Sequence, residues 1–226
     1  MTQQTMRAAV LTGAGKFKIQ DTPVPEPGAG QVRVRLSGCG VCASNLTPWA
    51  GPEWMQFPTE PGALGHEGWG VIHAVGEGVK GLSVGDRVGF LSGKAYAEYD
   101  LAEASQVVQL PPALADGDLP LEPFGCAMNI FRRGDIQAGQ TAAIVGIGFL
   151  GAILVRLASN AGARVIAISR REQSLELARK MGAAETIPMH DHGQIIERVR
   201  ELTGGTLCDR VIKPLASNGR STSPPS

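Results

Sequence analysis

Charge is scarce and balanced in this 226-residue chain. Charged residues make up 19%, with 21 Lys+Arg against 21 Asp+Glu. Without a net positive field there is little to hold a nucleic-acid backbone or an anionic membrane, which argues against both as partners. Aromatics are few, at 5%, and the four cysteines do not make a disulfide scaffold in a chain of this length. Long hydrophobic runs are missing too. The longest, residues 141–155, is broken by glycines and stops at Arg156, short of the ~20 residues that span a bilayer. Residues 1–20 lack a basic start, an apolar run and a small-residue cleavage site, so the expectation is a cytoplasmic protein.

What the chain does have is 43% hydrophobic residues and 30 glycines, enough for one large or two small domains rich in tight turns. Residues 7–11, 31–36, 71–75, 87–91 and 106–110 are short β-prone runs separated by Gly/Pro punctuation, which predicts a small barrel-like β domain. Near Pro123 the rhythm changes. Strands are predicted at 141–145, 164–168 and 186–189, and helices at 149–161, 172–181 and 194–202. Such alternation builds βαβ units on a parallel sheet. The expected division is a β-rich domain over 1–122, a connecting helix over 123–136, an α/β domain over 137–212 and an atypical Ser/Pro-rich tail over 213–226.

Gly146-Ile147-Gly148-Phe149-Leu150-Gly151 fits the dinucleotide fingerprint G-x-G-x-x-G in its required place, after a strand and opening a helix. The first glycine permits a tight turn, the second a close approach of pyrophosphate, and the third close packing of helix on strand. Phosphates then meet the free N–H groups at the positive end of the helix dipole. An acidic residue about 20 positions on is the usual partner of the NAD ribose. Here the second strand ends in Ser169, Arg170 and Arg171, with no carboxylate to repel a 2′-phosphate and two guanidiniums to pair with it. This predicts NADP(H) over NAD(H).

The stretch Gly65-His66-Glu67-Gly68-Trp69-Gly70, followed by Gly76-Glu77-Gly78 and Gly85-Asp86, resembles the zinc-type alcohol dehydrogenase signature of the medium-chain dehydrogenase/reductase family. Cys42, His66-Glu67, Glu122-Pro123 and the glycine fingerprint follow in the family's order. The resemblance implies a GroES-like β-rich domain followed by a Rossmann domain, α/β with a doubly wound parallel sheet. It also implies one catalytic zinc, with Cys42 and His66 as ligands and Glu67 or Glu122 as the third. Ser44 would take the hydroxyl proton of an alcohol, or return it when a carbonyl is reduced. No structural zinc is expected, because the chain runs from the Gly85-Asp86 turn to Ala95 without the four closely spaced cysteines. Asn45 and Thr47 stand where the family has aspartate and histidine. Asn45 is expected to accept a hydrogen bond from the ligand imidazole, and the proton exit to run through water.

Cys39 and Cys42 also spell C-x-x-C, but that redox motif belongs near a βαβ pattern, and Cys39 is read as a small apolar filler. Trp49, Trp54 and Phe57 fit either an apolar substrate pocket or loop packing. The family is longer and full-length members are expected to be homo-oligomers. A one-base shift before Lys213, with suitable synonymous codons, turns the tail into a reading similar to the family's continuation. The expectation is therefore a frameshifted, truncated dehydrogenase with an incomplete Rossmann domain, inactive if the loss is severe. The alternatives are a zinc-free quinone or enoyl reductase of the same fold, and a non-catalytic nucleotide- or metal-binding fragment.

Overall fold

The structure, a computed structural model, describes residues 4–114 and 117–214. The expected tail lies outside the described residues from 215 on. Two compact units divide the chain, one ending at Glu122 and the second covering 123–215. Among the described residues, no helix is long and apolar enough to cross a membrane.

In the first unit, β1 (Thr5–Gly13) and β2 (Lys16–Pro23) form an antiparallel hairpin. β3 (Gln31–Gly40), β4 (Glu67–Val75), β5 (Arg87–Phe90), β6 (Tyr99–Glu103) and β7 (Val107–Gln109) form an antiparallel sheet in the order β6-β3-β4-β5-β7. Its core is Val32, Val34, Ile72, Val88, Phe90 and Ala102. After β3 the chain makes a 3-10 turn, Ala43–Asn45, and the short helix α1 (Leu46–Ala50).

The β3–β4 pairing sets the site. Register shifts occur between Arg33 and Val34 and between Leu36 and Gly38, after which Cys39 faces Gly68 and Gly40 faces Glu67. The two strands thus end side by side, and Cys42 and His66, 24 residues apart in sequence, emerge together. Sequence pattern alone starts β4 at 71. It begins at Glu67 instead, because Gly68 and Gly70, poor strand formers by composition, are there for close approach. A Cβ on Gly70 would overlap the Arg35 carbonyl.

In the second unit, α2 (Glu122–Gly134) leads into β8 (Thr141–Val145), α3 (Phe149–Asn160), β9 (Arg164–Ser169), α4 (Glu172–Met181), β10 (Glu185–Pro188), α5 (His192–Leu202) and β11 (Arg210–Ile212). The strands are parallel, in the order β10-β9-β8-β11. Alternate residues bury on opposite faces: Ala142, Ile144, Val165 and Ala167 in one cluster, Ala143, Ile166 and Ile168 in another. A sheet covered on both sides reads as the near-continuous apolar runs seen in the sequence. The order reverses beside β8, a topological switch point, and ligands of such sheets bind at the carboxyl ends of the strands there.

Candidate functional site

Cys42, His66 and Glu67 come together in the first unit, their potential ligand atoms all within 4.8 Å of one another. Glu67 is buried, with 8% exposure, while Cys42 and His66 are half-buried. The space for Glu67 comes from Gly40, where a Cβ would overlap the Glu67 carboxylate. Burying a carboxylate is costly unless a cation or donor meets it. Thiolate, imidazole and carboxylate are ordinary zinc donors, and three protein ligands with a position left over is the catalytic arrangement. The residues therefore fit the ion that the resemblance implies. Glu122, the other carboxylate expected there, opens α2 and lies outside this group. Ser44 is exposed in the 3-10 turn immediately after Cys42.

The hydrogen bonds around the group differ from the expectation for Asn45. His66 Nδ1 meets the Leu64 carbonyl oxygen at 3.0 Å, not Asn45. A carbonyl only accepts, so Nδ1 carries the proton and the Nε2 lone pair is left for a metal. Asn45 acts one step back. Its Nδ2–H donates to the same Leu64 carbonyl at 3.0 Å, and its Oδ1 accepts the Cys42 backbone N–H at 3.1 Å. The Tyr96 hydroxyl also donates to Asn45 Oδ1, at 3.1 Å. The reason is backbone geometry: Leu64 has φ 73, a left-handed conformation uncommon for a leucine, which presents its carbonyl to both donors.

Burial, and then the nearby charge of Cys39, Glu67 and Cys42, pushes the Tyr96 phenol up to about 12 and keeps it a donor. Burial likewise pushes the Cys39 thiol up to about 11, in keeping with a filler and not a redox partner. Tyr96, Leu64 and Gly40 were not legible as site residues. Only the close pairing of Gly40 with Glu67 and the loop carrying Tyr96 reveal them.

Next to this group, Trp49 lines an apolar cavity of about 390 Å³ with Leu11, Phe17, Leu46, Leu64 and Tyr96. Trp54 is exposed and Phe57 half-buried, and neither lines it.

In the second unit, Gly146, Gly148, Ser169, Arg170 and Arg171 line a cavity of about 760 Å³ at the carboxyl ends of β8 and β9. Each fingerprint glycine has a distinct reason. Gly146 has φ 95, in the left-handed region. A Cβ on Gly151 would overlap the Gly146 carbonyl oxygen, whereas one on Gly148 would meet nothing within 4 Å, so Gly148 leaves open space at the start of α3. Phe149 and Leu150 form the first turn of α3, with Phe149 exposed and its ring 5.5 Å from that of Phe124. Ser169 is buried, and Arg170 and Arg171 are exposed.

Two family models match the chain. Residues 28–112 match the alcohol dehydrogenase GroES-like domain, and residues 150–222 match the zinc-binding dehydrogenase domain. An alcohol dehydrogenase of Geobacillus stearothermophilus is 33% identical over 88% of the chain, which covers 68% of that relative. A solved NAD-dependent alcohol dehydrogenase has a TM-score of 0.79 at 28% identity, with 91% of this chain and 70% of that chain covered. A zinc-binding dehydrogenase from Sinorhizobium meliloti, solved bound to NADP, has a TM-score of 0.71 at 26% identity, with 88% and 65% covered. The chain thus spans about two thirds of the length of the proteins it matches.

Proposed function

The chain belongs to the zinc-binding alcohol dehydrogenase family, and we propose that its site serves hydride exchange between an alcohol and its aldehyde or ketone, with NADP(H) as carrier. The observation behind this reading is the convergence of Cys42, His66 and Glu67 within 4.8 Å. Those three residues would hold one zinc ion, with Glu122 as the alternative carboxylate. When bound, the zinc supplies Lewis acidity that lowers the pKa of an alcohol hydroxyl, and the nicotinamide supplies the hydride chemistry.

The chain's own residues do the rest. Ser44, exposed next to Cys42, relays the hydroxyl proton, accepting it at Oγ as its own Oγ–H proton passes to water. With Thr47 in place of histidine, the proton leaves through water. Asn45 fixes the Cys42 backbone and, through the Leu64 carbonyl, the His66 ring. The N–H groups opening α3, from Phe149 to Gly151, hold the pyrophosphate across Gly146 and Gly148. Ser169, Arg170 and Arg171 take the 2′-phosphate, each charge-assisted bond adding about 1.5–3 kcal/mol, roughly ten- to hundredfold in affinity.

Metal analysis of the purified, zinc-reconstituted chain tests the first half. One zinc per chain, lost in His66→Ala, is expected. A chain that takes up no zinc overturns the reading and favours a quinone or enoyl reductase. NADPH oxidation with a panel of aldehydes and ketones tests the reaction itself. For the cofactor, Arg170→Ala should weaken NADP+ binding about tenfold or more and leave NAD+ binding unchanged. Equal affinity of the unaltered chain for both dinucleotides would refute the preference.

A further inference from the structure

The apolar cavity of the first unit plays no part in the chemistry proposed above. Its lining includes none of Cys42, Ser44, His66 and Glu67. An alcohol with its oxygen at the proposed metal and its proton at Ser44 has to touch those groups, so its reacting end lies elsewhere. Asn45, Leu64 and Tyr96 do line the cavity, but their polar atoms are engaged. The Asn45 carboxamide bonds to the Cys42 N–H and the Leu64 carbonyl, and the Tyr96 hydroxyl to Asn45 Oδ1 and the Gly40 carbonyl. These residues therefore offer the cavity apolar surface.

The walls are fixed by the backbone. The Gly62 N–H donates to the Ala9 carbonyl at 2.8 Å, the Ala9 N–H to the Tyr96 carbonyl at 2.8 Å, and the Tyr96 N–H to the Gly62 carbonyl at 3.1 Å, a closed circuit. The Gly15 N–H, in the β1–β2 turn, donates to the Trp49 carbonyl at 2.8 Å and joins the hairpin to α1. Collapse of the cavity would break these bonds. A void kept open in this way is a pre-formed pocket, and about 390 Å³ is the size of a small-molecule site.

The lining states what fits. Among the described residues no Asp, Glu, Lys, Arg or His lines the cavity, and an ion would lose its hydration there with nothing to replace it. Aromatics are only 5% of the chain, yet Phe17, Trp49 and Tyr96 meet here. The Phe17 and Trp49 rings stand 6.3 Å apart, tilted by 53°, and both are exposed. Ring–ring contacts at about 4.5–7 Å favour an aromatic guest. A cavity of about 150 Å³ accommodates benzene, so this one has room for two fused rings. We propose that it binds an uncharged aromatic molecule of that size, at a site separate from the metal group. The site needs neither zinc nor a dinucleotide, and it stands or falls independently of the dehydrogenase reading.

Equilibrium dialysis of the full chain against 2-naphthol at pH 7 tests this, with 2-naphthoate as a charged analogue of similar shape. 2-Naphthol is an uncharged phenol with no hydrogen on its oxygen-bearing carbon, so it is not itself a dehydrogenase substrate. One saturable site per chain is expected, with 2-naphthoate at least about tenfold weaker. Ala63→Leu, which fills the cavity, and Trp49→Ala, which removes a ring from its wall, should each weaken 2-naphthol about tenfold or more. His66→Ala, which lacks a proposed zinc ligand, should bind it as the parent does. Absence of saturable binding overturns the proposal, as does equal binding of 2-naphthoate or unchanged affinity in both cavity variants. Loss of binding in His66→Ala puts the guest in the reaction site and refutes it. Affinity that falls as chain concentration rises puts a second copy in the cavity and refutes it as well. If one cavity variant does not fold, the other decides together with 2-naphthoate. Zinc uptake without 2-naphthol binding leaves the dehydrogenase reading intact, and 2-naphthol binding without zinc uptake leaves this proposal standing.

Discussion

Asn45 ties the proposed metal-binding group together from one step back. Its carboxamide joins the backbone of one proposed ligand, Cys42, to the carbonyl that orients another, His66, and Tyr96 completes its hydrogen bonding. Such supports commonly contribute ten- to hundredfold in metal affinity. Asn45→Ala should therefore weaken zinc binding about ten- to hundredfold, read by competition with a chromogenic chelator. Tyr96→Phe, which removes a hydroxyl shared between Asn45 Oδ1 and the Gly40 carbonyl, should weaken it only about two- to tenfold. Unchanged affinity in Asn45→Ala would mean the carboxamide only packs. Cys39 gives a second outcome at this scale. A thiol pushed up to about 11 is almost wholly protonated at pH 8. In the zinc-free chain, iodoacetamide should modify Cys39 about a hundredfold more slowly than an ordinary exposed thiol, as mapped on peptides by mass spectrometry. Cys42 and His66 were legible in the sequence because their side-chain chemistry is printed in the residue type. The true partner of the His66 ring was not legible. It is a main-chain carbonyl, and its direction depends on a left-handed leucine that no propensity would suggest.

Among the elements, the strand–helix units of the second domain read most clearly from sequence, because each has a strong period. The helix expected at 172–181 is observed as Glu172–Met181, and the strand expected at 141–145 as Thr141–Val145. The first unit was less legible. β2 exposes Phe17 and Ile19 and so shows no buried stripe, and β6 hides its signal behind a buried Asp100. That carboxylate accepts N–H groups from Gly93, Lys94 and Leu101, fixing the loop that carries Tyr96, even though burial raises its pKa from the ordinary aspartate value. Asp100→Asn turns an amide NH₂ toward backbone donors and should cost about 1–3 kcal/mol in urea unfolding. The turn from β8 to α3 separates stability from binding. Gly151→Ala forces a methyl onto the Gly146 carbonyl and should lower stability by about 1–3 kcal/mol. Gly148→Ala adds a methyl where nothing stands within 4 Å. It should leave the melting temperature nearly unchanged yet weaken dinucleotide binding about tenfold or more, by occupying the pyrophosphate's path. Equal effects of the two alanines on stability would undo this division of labour.

For the whole molecule the deciding quantities are an edge, a patch and a net charge. β11 has three residues and, among the described residues, pairs on one side only, with β8; Val211 on it is 66% exposed. Parallel sheets are ordinarily covered on both faces, and an uncovered edge is a template for another chain. In the first unit, Phe17, Val41, Leu46 and Trp49 are exposed around one apolar cavity. Repulsion between copies is weakest where the net charge vanishes, and this chain has a formal charge of zero at pH 7 and a pI near 6.9. Self-association should therefore peak near pH 7 and decline by pH 8.5, as light scattering at fixed concentration would show. Val211→Lys sets a charge on the β11 edge without touching either proposed ligand group, and should lower the neutral-pH scattering. If the variant scatters like the parent while the pH maximum persists, association runs through the apolar patch of the first unit. Trp49→Lys should then be the substitution that reduces it.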